Sequence, residues 1–128
     1  MADPYYVKFE TPEDLVNPIY EAVRVSAENG KIKRGTNEAT KAVERGTSKL
    51  VVIAKDVDPP ELVAHLPILC DEQNSAYVFV PSKQDLGKAL GIDIVSAAAA
   101  IIDAADAQHI VDQVINTISK IKGGKTEQ

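Results

Sequence analysis

The chain has 128 residues, of which 45% are hydrophobic and 26% charged, a composition that fits one globular domain with its own core. It contains no run of about 18 apolar residues and no basic-then-apolar leader, so neither a membrane span nor secretion is expected, and the protein is predicted to be cytoplasmic. The single cysteine, Cys70, cannot form an internal disulfide and is predicted to be a small buried hydrophobic residue.

The net charge of −5 is distributed unevenly along the chain. Residues 31–49 hold six basic and two acidic side chains, a local charge of +4, whereas residues 1–30 carry −4 and residues 50–128 carry −5. Because salt screens charges separated by more than about 8–10 Å, a local basic segment can bind a polyanion despite an acidic remainder. Charge alone leaves two interpretations open, a nucleic-acid contact or a solvated basic turn.

The first predicted helix begins with Thr11 as its N-cap and Pro12 at the first helical position, and it runs to about Glu28. The segment Asn29-Gly30 is expected to end it with a left-handed cap. The predicted core stripe of this helix consists of Leu15, Ile19, Ala22, Val23 and Val25.

A short basic strand over Lys31–Arg34 is predicted to lead into a second helix, which Thr36 caps and Gly46 ends. At 3.6 residues per turn this helix has a small apolar face, made by Ala39, Ala42 and Val43. A second face combines amide, carboxylate and cationic groups, namely Asn37, Glu38, Lys41 and Arg45.

The β-branched run Lys49–Ala54 predicts a central strand that is covered on both sides. Asp58 is predicted to cap a helix that runs through about Leu69, with Pro67 able to kink or shorten it. His65 on this helix is interpreted as a solvated or capping histidine rather than a metal ligand. The side chains predicted to face inward are Leu62, Leu66 and Leu69.

Ala76–Val80 is predicted to be a further buried strand, and Ser82 to cap a brief helix that ends at Gly91. The segment Ile92-Asp93-Ile94 then forms an apolar loop tip. Val95–Ile102 is ambiguous, because alanine favours helix, but it is interpreted as a strand that Asp103 ends.

Asp106 is predicted to cap a final amphipathic helix, which Gly123-Gly124 stops. Residues 123–128 are expected to form a flexible tail after an ordered core over about residues 12–120. The side chains of this helix predicted to face inward are Ile110, Val111, Val114, Ile115, Ile118 and Ile121.

The alternation of helices and strands with short loops predicts a single α/β domain, a three-layer α/β/α sandwich around a mixed four-stranded sheet. The titratable groups that could support catalysis occupy cap and helix positions, with no nucleophile, glycine-rich phosphate loop or metal-ligand spacing among them: Asp56, Asp58, His65, Asp103, Asp106 and His109. No enzymatic activity, cofactor, metal or small-molecule substrate is therefore expected.

Several blocks at matched spacing resemble the archaeal large-subunit ribosomal protein L7Ae family, the kink-turn RNA binders. The resemblance spans about residues 12–120 and is carried by Arg34–Lys41, Glu44–Gly46, His65–Pro67, Leu69-Cys70, Tyr77–Val80, Ser82-Lys83, Leu86-Gly87 and Leu90-Gly91.

The resemblance implies a structural RNA-binding protein that recognises a kink-turn or kink-loop with tandem sheared G·A pairs. Such a protein belongs to the large ribosomal subunit, where its partner is rRNA, and nucleates box C/D and H/ACA guide RNPs. In these particles it recruits a scaffold protein with fibrillarin, or a pseudouridine synthase complex. Archaeal members also occur in RNase P, which acts in tRNA processing, so the main RNA target stays open.

The resemblance also assigns roles to residues. The predicted guanine readers are Asn37, Glu38 and Lys41, whose groups can accept from or donate to base edges. The predicted phosphate contacts are the side chains of Lys33, Arg34 and Arg45, assisted by the backbone N–H groups of Gly35 and Thr36. The loop predicted to contact flipped-out nucleotides consists of Ile92, Asp93 and Ile94. Three further family contact positions fall on Asp58, Leu62 and Lys83.

An alternative function is a protein–protein adaptor. The acidic first and last helices could dock a basic partner without reading RNA, and both functions could coexist in one protein.

Overall fold

The structure, a computed structural model, describes residues 3–126, with side chains for residues 3–122. The predicted alternation of helices and strands is present throughout this part of the chain. The helices are α1 (Glu13–Asn29), α2 (Thr36–Glu44), α3 (His65–Glu72), α4 (Lys83–Ala89) and α5 (Gln108–Thr126). The strands are β1 (Lys31–Arg34), β2 (Leu50–Ala54), β3 (Tyr77–Val80) and β4 (Ala98–Asp103).

The four strands form one mixed sheet in the order β1-β4-β2-β3. The β2–β3 pair is parallel and the other two pairs are antiparallel. Strand β2 is interior and buried along its whole length, as its β-branched run predicts. Helices α2 and α3 pack together, and α1 packs on α4 and α5, so the sheet lies between two helical layers. The predicted three-layer α/β/α architecture is confirmed.

Strand directions bring four connections to the same end of the sheet, which we call the loop end. Arg34 pairs with Ala99, while Ile53 pairs with Ala98. Ala54 pairs with Val80 in the parallel ladder. The segments that follow β1, β2 and β3, and the one that precedes β4, therefore all lie at the loop end.

Both ends of α1 depart from the predicted caps. Thr11 does not cap the helix, because its hydroxyl donates across the fold to the carbonyl of Phe79 at 2.7 Å; the N-cap is Pro12. Gly30 is not left-handed, with φ −119°, but a Cβ there would lie 1.9 Å from the Asp103 carbonyl oxygen. Glycine is therefore required by close backbone approach. The predicted core stripe is buried except for Val25, which is partly exposed.

The region after β2 also differs from its prediction. Asp58 is not an N-cap, since the cis Asp58–Pro59 bond leads into a 3-10 turn over Pro60–Leu62, and α3 begins only at His65. Leu62 is 54% exposed rather than directed inward. Pro67 lies in the first turn of α3, where a missing N–H costs nothing.

Downstream, Ser82 caps α4 as predicted, accepting from the Asp85 N–H at 3.0 Å. Strand β4 begins at Ala98, three residues later than expected. Asp106 does not cap α5, because it lies in a 3-10 turn over Ala105–Ala107. Helix α5 passes through Gly123-Gly124 to Thr126, so the prediction that these glycines end it was wrong; the rest of the predicted tail, residues 127–128, lies outside the described residues.

The core begins earlier in the chain than residue 12. Tyr6 is fully buried, and its hydroxyl donates to the Ala54 carbonyl at 2.7 Å. The ring of Phe9 packs 5.1 Å from that of Phe79, between centroids, and so covers the edge strand β3. Cys70 is buried, as predicted. None of the helices within residues 3–126 is long and apolar enough to span a membrane.

Candidate nucleic-acid interface

Gly35 makes the turn between β1 and α2. It adopts φ +91°, a conformation that strains any residue with a Cβ, and its N–H donates to the Ala98 carbonyl at 2.9 Å. Gly35 is the N-cap and Thr36 the first helical residue, so Thr36 does not cap the helix as predicted. Because the Gly35 N–H is already bonded, it cannot assist in holding a phosphate. The bond instead fixes the start of α2 against β4.

The two predicted faces of α2 are present. Its small apolar residues are buried against the sheet. On the other face, Glu38 is partly exposed, and the exposed side chains are those of Asn37, Lys41 and Arg45. The Lys41 ammonium lies 3.4 Å from the Glu38 carboxylate, and both side chains are about half exposed. Such an i,i+3 surface pair contributes only about 0.2–0.5 kcal/mol. Both groups can therefore exchange this contact for a partner's.

Helix α2 is fixed at its far end and along its side. Gly46, with φ +72°, ends the helix as predicted, and the Thr47 N–H donates to the Ala42 carbonyl at 3.0 Å. The Thr40 hydroxyl lies 2.8 Å from His65 Nε2 at the start of α3. His65 thus joins two helices. Among the described residues, no group of three or more His, Cys, Asp or Glu side chains could hold a metal ion.

The loop between α4 and β4 lies along α4. The Ile92 N–H donates to the Gly87 carbonyl at 3.1 Å, and the Ser96 N–H donates to the Lys83 carbonyl at 3.0 Å. A Cβ on Gly87 would lie 2.1 Å from the Ile94 carbonyl oxygen, so the close approach requires glycine. Ile94 is 72% exposed, whereas Ile92 packs partly against the core.

Val95, which was predicted to lie in a strand, is a second exposed apolar side chain, with 52% of it accessible. In the sequence, the feature that indicates this exposure is the position of Val95 directly after Ile92-Asp93-Ile94. The loop therefore presents a pair of neighbouring apolar side chains, Ile94 and Val95, with the exposed Asp93 beside them.

Arg34 connects the start of α2 to this loop. Its Nε and one terminal nitrogen donate to the Leu90 carbonyl at 3.4 and 3.2 Å, at the end of α4. The neighbouring Lys33 is exposed on β1. Arg34 was predicted as a phosphate contact, and the structure shows that it also holds two parts of the surface together.

The remaining predicted contact positions also lie at the loop end. Asp58 and Leu62 are exposed in the segment after β2. Lys83, at the start of α4, is partly exposed, and its N–H donates to the Asp56 carboxylate at 2.8 Å. All three positions thus share the loop end with the start of α2 and with the Ile92–Ile94 loop.

Comparison with known proteins decides the family. Residues 17–111 match the Ribosomal protein L7Ae/L30e/S12e/Gadd45 family. The chain belongs to this family. Among L7Ae-family relatives, it is 77% identical over 128 residues to large ribosomal subunit protein eL8 of Nitrosopumilus maritimus, covering 100% of both chains. It is 78% identical over 123 residues to eL8 of Cenarchaeum symbiosum, covering 96% of this chain and 97% of that protein.

The fold agrees with that of a solved structure. The 15.5kD RNA binding protein of Giardia lamblia superposes with a TM-score of 0.85 at 35% identity, covering 93% of this chain and 98% of that one. The names of these relatives describe ribosomal and RNA-binding proteins and no enzyme, in agreement with the expectation that this L7Ae-family chain is not an enzyme.

Proposed function

We propose that this L7Ae-family protein is an RNA-binding component of the large ribosomal subunit that recognises kink-turn or kink-loop RNA with tandem sheared G·A pairs. One observation carries the proposal. The mixed amide, carboxylate and cationic face of α2 and the exposed apolar loop at Ile94 lie at the same end of the sheet, joined by the bond from Arg34 to Leu90. This surface suits an RNA whose base edges are accessible to the α2 face and whose unstacked bases can contact the apolar loop.

The chemistry of α2 suits guanine. The Glu38 carboxylate can accept from the ring and exocyclic N–H groups of guanine, whereas Asn37 and Lys41 can donate to O6 or N7. A helix can reach these edges only in a widened groove, which a sharp kink in the RNA provides. Because α2 is bonded to β4 and α3, it presents these groups without a large ordering cost.

The other residues hold and orient the RNA. Lys33, Arg34 and Arg45 supply cations for phosphates, contacts that fix register without reading sequence. Ile94 and Val95 offer apolar surface to nucleotides that leave the stack at the kink, and burying this surface favours binding.

An RNA element, rather than one RNA sequence, is the proposed target. The same surface can therefore act in rRNA, in box C/D and H/ACA guide RNAs and in RNase P RNA. In guide RNPs the protein–RNA complex would be joined by the scaffold protein and fibrillarin. The proposed location is the cytoplasm, with the ribosome as one of the proposed sites.

The charges of the last helix do not support the adaptor alternative, because α5 carries one acidic residue, Asp112, against three lysines. On α1, Glu21 and Glu28 are paired with Arg24 on the same helix, but such exposed pairs contribute little and do not exclude a basic partner. Of the two helices, only α1 retains the acidic surface that this alternative requires.

A gel-shift titration tests the proposal. One RNA carries a kink-turn, and its matched control replaces the tandem G·A pairs by Watson–Crick pairs. Much tighter binding to the first RNA is the expected result. Equal binding to both RNAs would reject kink-turn recognition, and binding to neither would reject the RNA-binding function.

A further inference from the structure

A basic groove runs along the free edge of β1, from Arg34 at the loop end down to Lys31, and it shares Lys33, Arg34 and Arg45 with the phosphate contacts proposed above. It is a groove of about 450 Å³ that we call the edge groove. Strand β1 pairs only with β4, so its other edge is open among the described residues. The residues lining the edge groove are Ala27, Gly30, Lys31, Ile32, Lys33, Arg34, Arg45, Thr47 and Ile102.

The edge groove is cationic and has an apolar floor. Four of its lining side chains are basic and none is acidic. A β-bulge leaves Ile102 without a partner on β1, between the Lys31–Asp103 and Ile32–Ile101 pairs, and Ile102 with Ile32 forms part of the floor. A cleft of one charge sign focuses its field, so this groove attracts anions more strongly than scattered lysines would.

These cations have few partners inside the protein. Within the described residues, Lys31, Lys33 and Arg45 make no ion pair, and Arg34 is bonded only to the neutral Leu90 carbonyl. The carboxylate of Asp103, the residue that pairs with Lys31 across the β1–β4 ladder, accepts from the Ala105 N–H and does not line the groove. The four cations therefore remain available to an external anion.

The geometry favours an extended anion over a single one. Strand β1 ascends from Lys31 to the start of α2, and α2 then descends to Arg45, so Lys31 and Arg45 lie together at the lower end of the groove. A rise of about 3.3 Å per strand residue places Lys31 roughly 10 Å below Arg34. The cations thus extend from the candidate base-reading surface down one side of the protein.

We infer that RNA held at the loop end continues along this path, and that the edge groove takes the sugar–phosphate backbone of one stem that flanks the recognised element. Lys31 is the distal phosphate contact, outside the surface assigned from sequence. This inference rests on the proposed function for the identity of the RNA. Beyond the proposed function, the inference states that the affinity for kink-turn RNA depends on the length of the stem that lies in the edge groove.

The test compares RNAs that share a kink-turn and differ in their flanking stems. One RNA has two long stems, and two others have one stem or the other cut to the pairs next to the kink. The variants are Lys31→Ala and Lys31→Glu, both at an exposed position, with Lys120→Ala on α5 as the matched loss of a cation outside the groove. Circular dichroism melting checks that each variant folds.

Lys31→Ala is expected to weaken binding of the long-stem RNA roughly threefold near physiological salt and to lower the salt slope by about 0.7–0.9, the value for one phosphate contact. Lys31→Glu should weaken binding of this RNA further, and Lys120→Ala should change neither the affinity nor the salt slope. Shortening one particular stem should abolish the effect of Lys31→Ala.

Equal effects of Lys31→Ala and Lys120→Ala, or an effect on all three RNAs alike, would overturn the inference. A parallel titration with polyglutamate separates the partners, because a Lys31 effect seen only there would assign the groove to an acidic protein segment. RNA without the G·A pairs is measured alongside. If it binds as tightly as the kink-turn RNA, the proposed function fails, while the stem-length result still decides the role of the groove.

Discussion

Glu38 places a carboxylate among the cations of α2, where a purely electrostatic phosphate surface would have none. We predict that Glu38→Gln weakens binding to kink-turn RNA by about 1–3 kcal/mol and narrows the preference for RNA with G·A pairs, because the amide replaces one of the two acceptor oxygens by an NH2 donor that faces a guanine N–H. The thermal midpoint of the protein should barely change, since the pair with Lys41 is exposed. Isothermal titration with both RNAs measures the effect.

The matched control is Glu44→Gln, which removes the same charge from an exposed position at the other end of α2. If both variants strengthen RNA binding equally, Glu38 acts only through its charge, and the base-reading role is wrong.

Ile94 gives the second residue-scale prediction. With 72% of the side chain exposed, Ile94→Lys should leave the fold intact but weaken binding of kink-turn RNA, because apolar contact with the unstacked nucleotides is lost. The measurements are RNA affinity and thermal melting. A collapse of the melting temperature would instead place Ile94 in the core, and unchanged affinity would remove the loop from the RNA contact.

At the scale of elements, Gly87 sets the position of the α4–β4 loop. Alanine there would put a Cβ 2.1 Å from the Ile94 carbonyl oxygen, so the loop or α4 must move. We predict that Gly87→Ala weakens RNA binding more than Ile94→Ala does, because the whole apolar pair is displaced. Gel-shift titration compares the two.

Lys88→Ala is the control, because it changes the neighbouring exposed position of α4 without a backbone clash. Amide hydrogen exchange across residues 91–97 should rise in Gly87→Ala alone. Unchanged exchange and unchanged affinity would show that the close approach is not needed.

The helices and strands of this chain were predictable from hydrophobic period, but several of their ends were not. The pattern around Thr11 fits an N-cap, yet its hydroxyl bonds the Phe79 carbonyl, a residue 68 positions away. Gly30 fits a left-handed end, yet it is required by the Asp103 carbonyl. Both outcomes depend on tertiary contacts that no local pattern contains. Tyr6 and Phe9 were missed because they enter the core from an irregular segment.

The candidate site was predictable to a different extent. The α2 face followed from helical spacing, and the resemblance to a known family added the Ile92–Ile94 loop. The bond from Arg34 to Leu90 and the exposure of Val95 needed the structure, because the loop conformation depends on contacts with α4. Lys31 was counted among the basic residues, but its place in one groove with Arg45 follows only from the direction of β1 and α2.

For the whole molecule, the sandwich works as a rigid platform. The buried β2 fixes the central layer, and the ends of β1, β2 and β3 lie at the loop end together with the start of β4. The recognition groups are therefore held by loops and a short helix that are each bonded to the sheet or to α4, which limits the ordering cost of binding RNA.

Stability at alkaline pH is a whole-molecule property that depends on buried weak acids. Burial, with a smaller effect of Asp71, raises the pKa of the Cys70 thiol to about 12, and burial also raises the pKa values of Tyr6, Tyr20 and Tyr77. In the unfolded chain these groups ionise near pH 8.5 for cysteine and 10 for tyrosine. Above about pH 8.5 the folded state therefore binds more protons than the unfolded state, and the free energy of unfolding falls as pH rises.

We predict a nearly constant contribution from these groups below about pH 8 and a loss on the order of 1–2 kcal/mol from Cys70 by about pH 10. Urea unfolding at fixed ionic strength from pH 7 to 10.5 measures it. Cys70→Ala should be less stable at pH 7, because it leaves a small cavity, but should lose less stability between pH 8 and 10. If the variant and the parent lose equal stability over that interval, the thiol ionises without unfolding and burial does not control its titration.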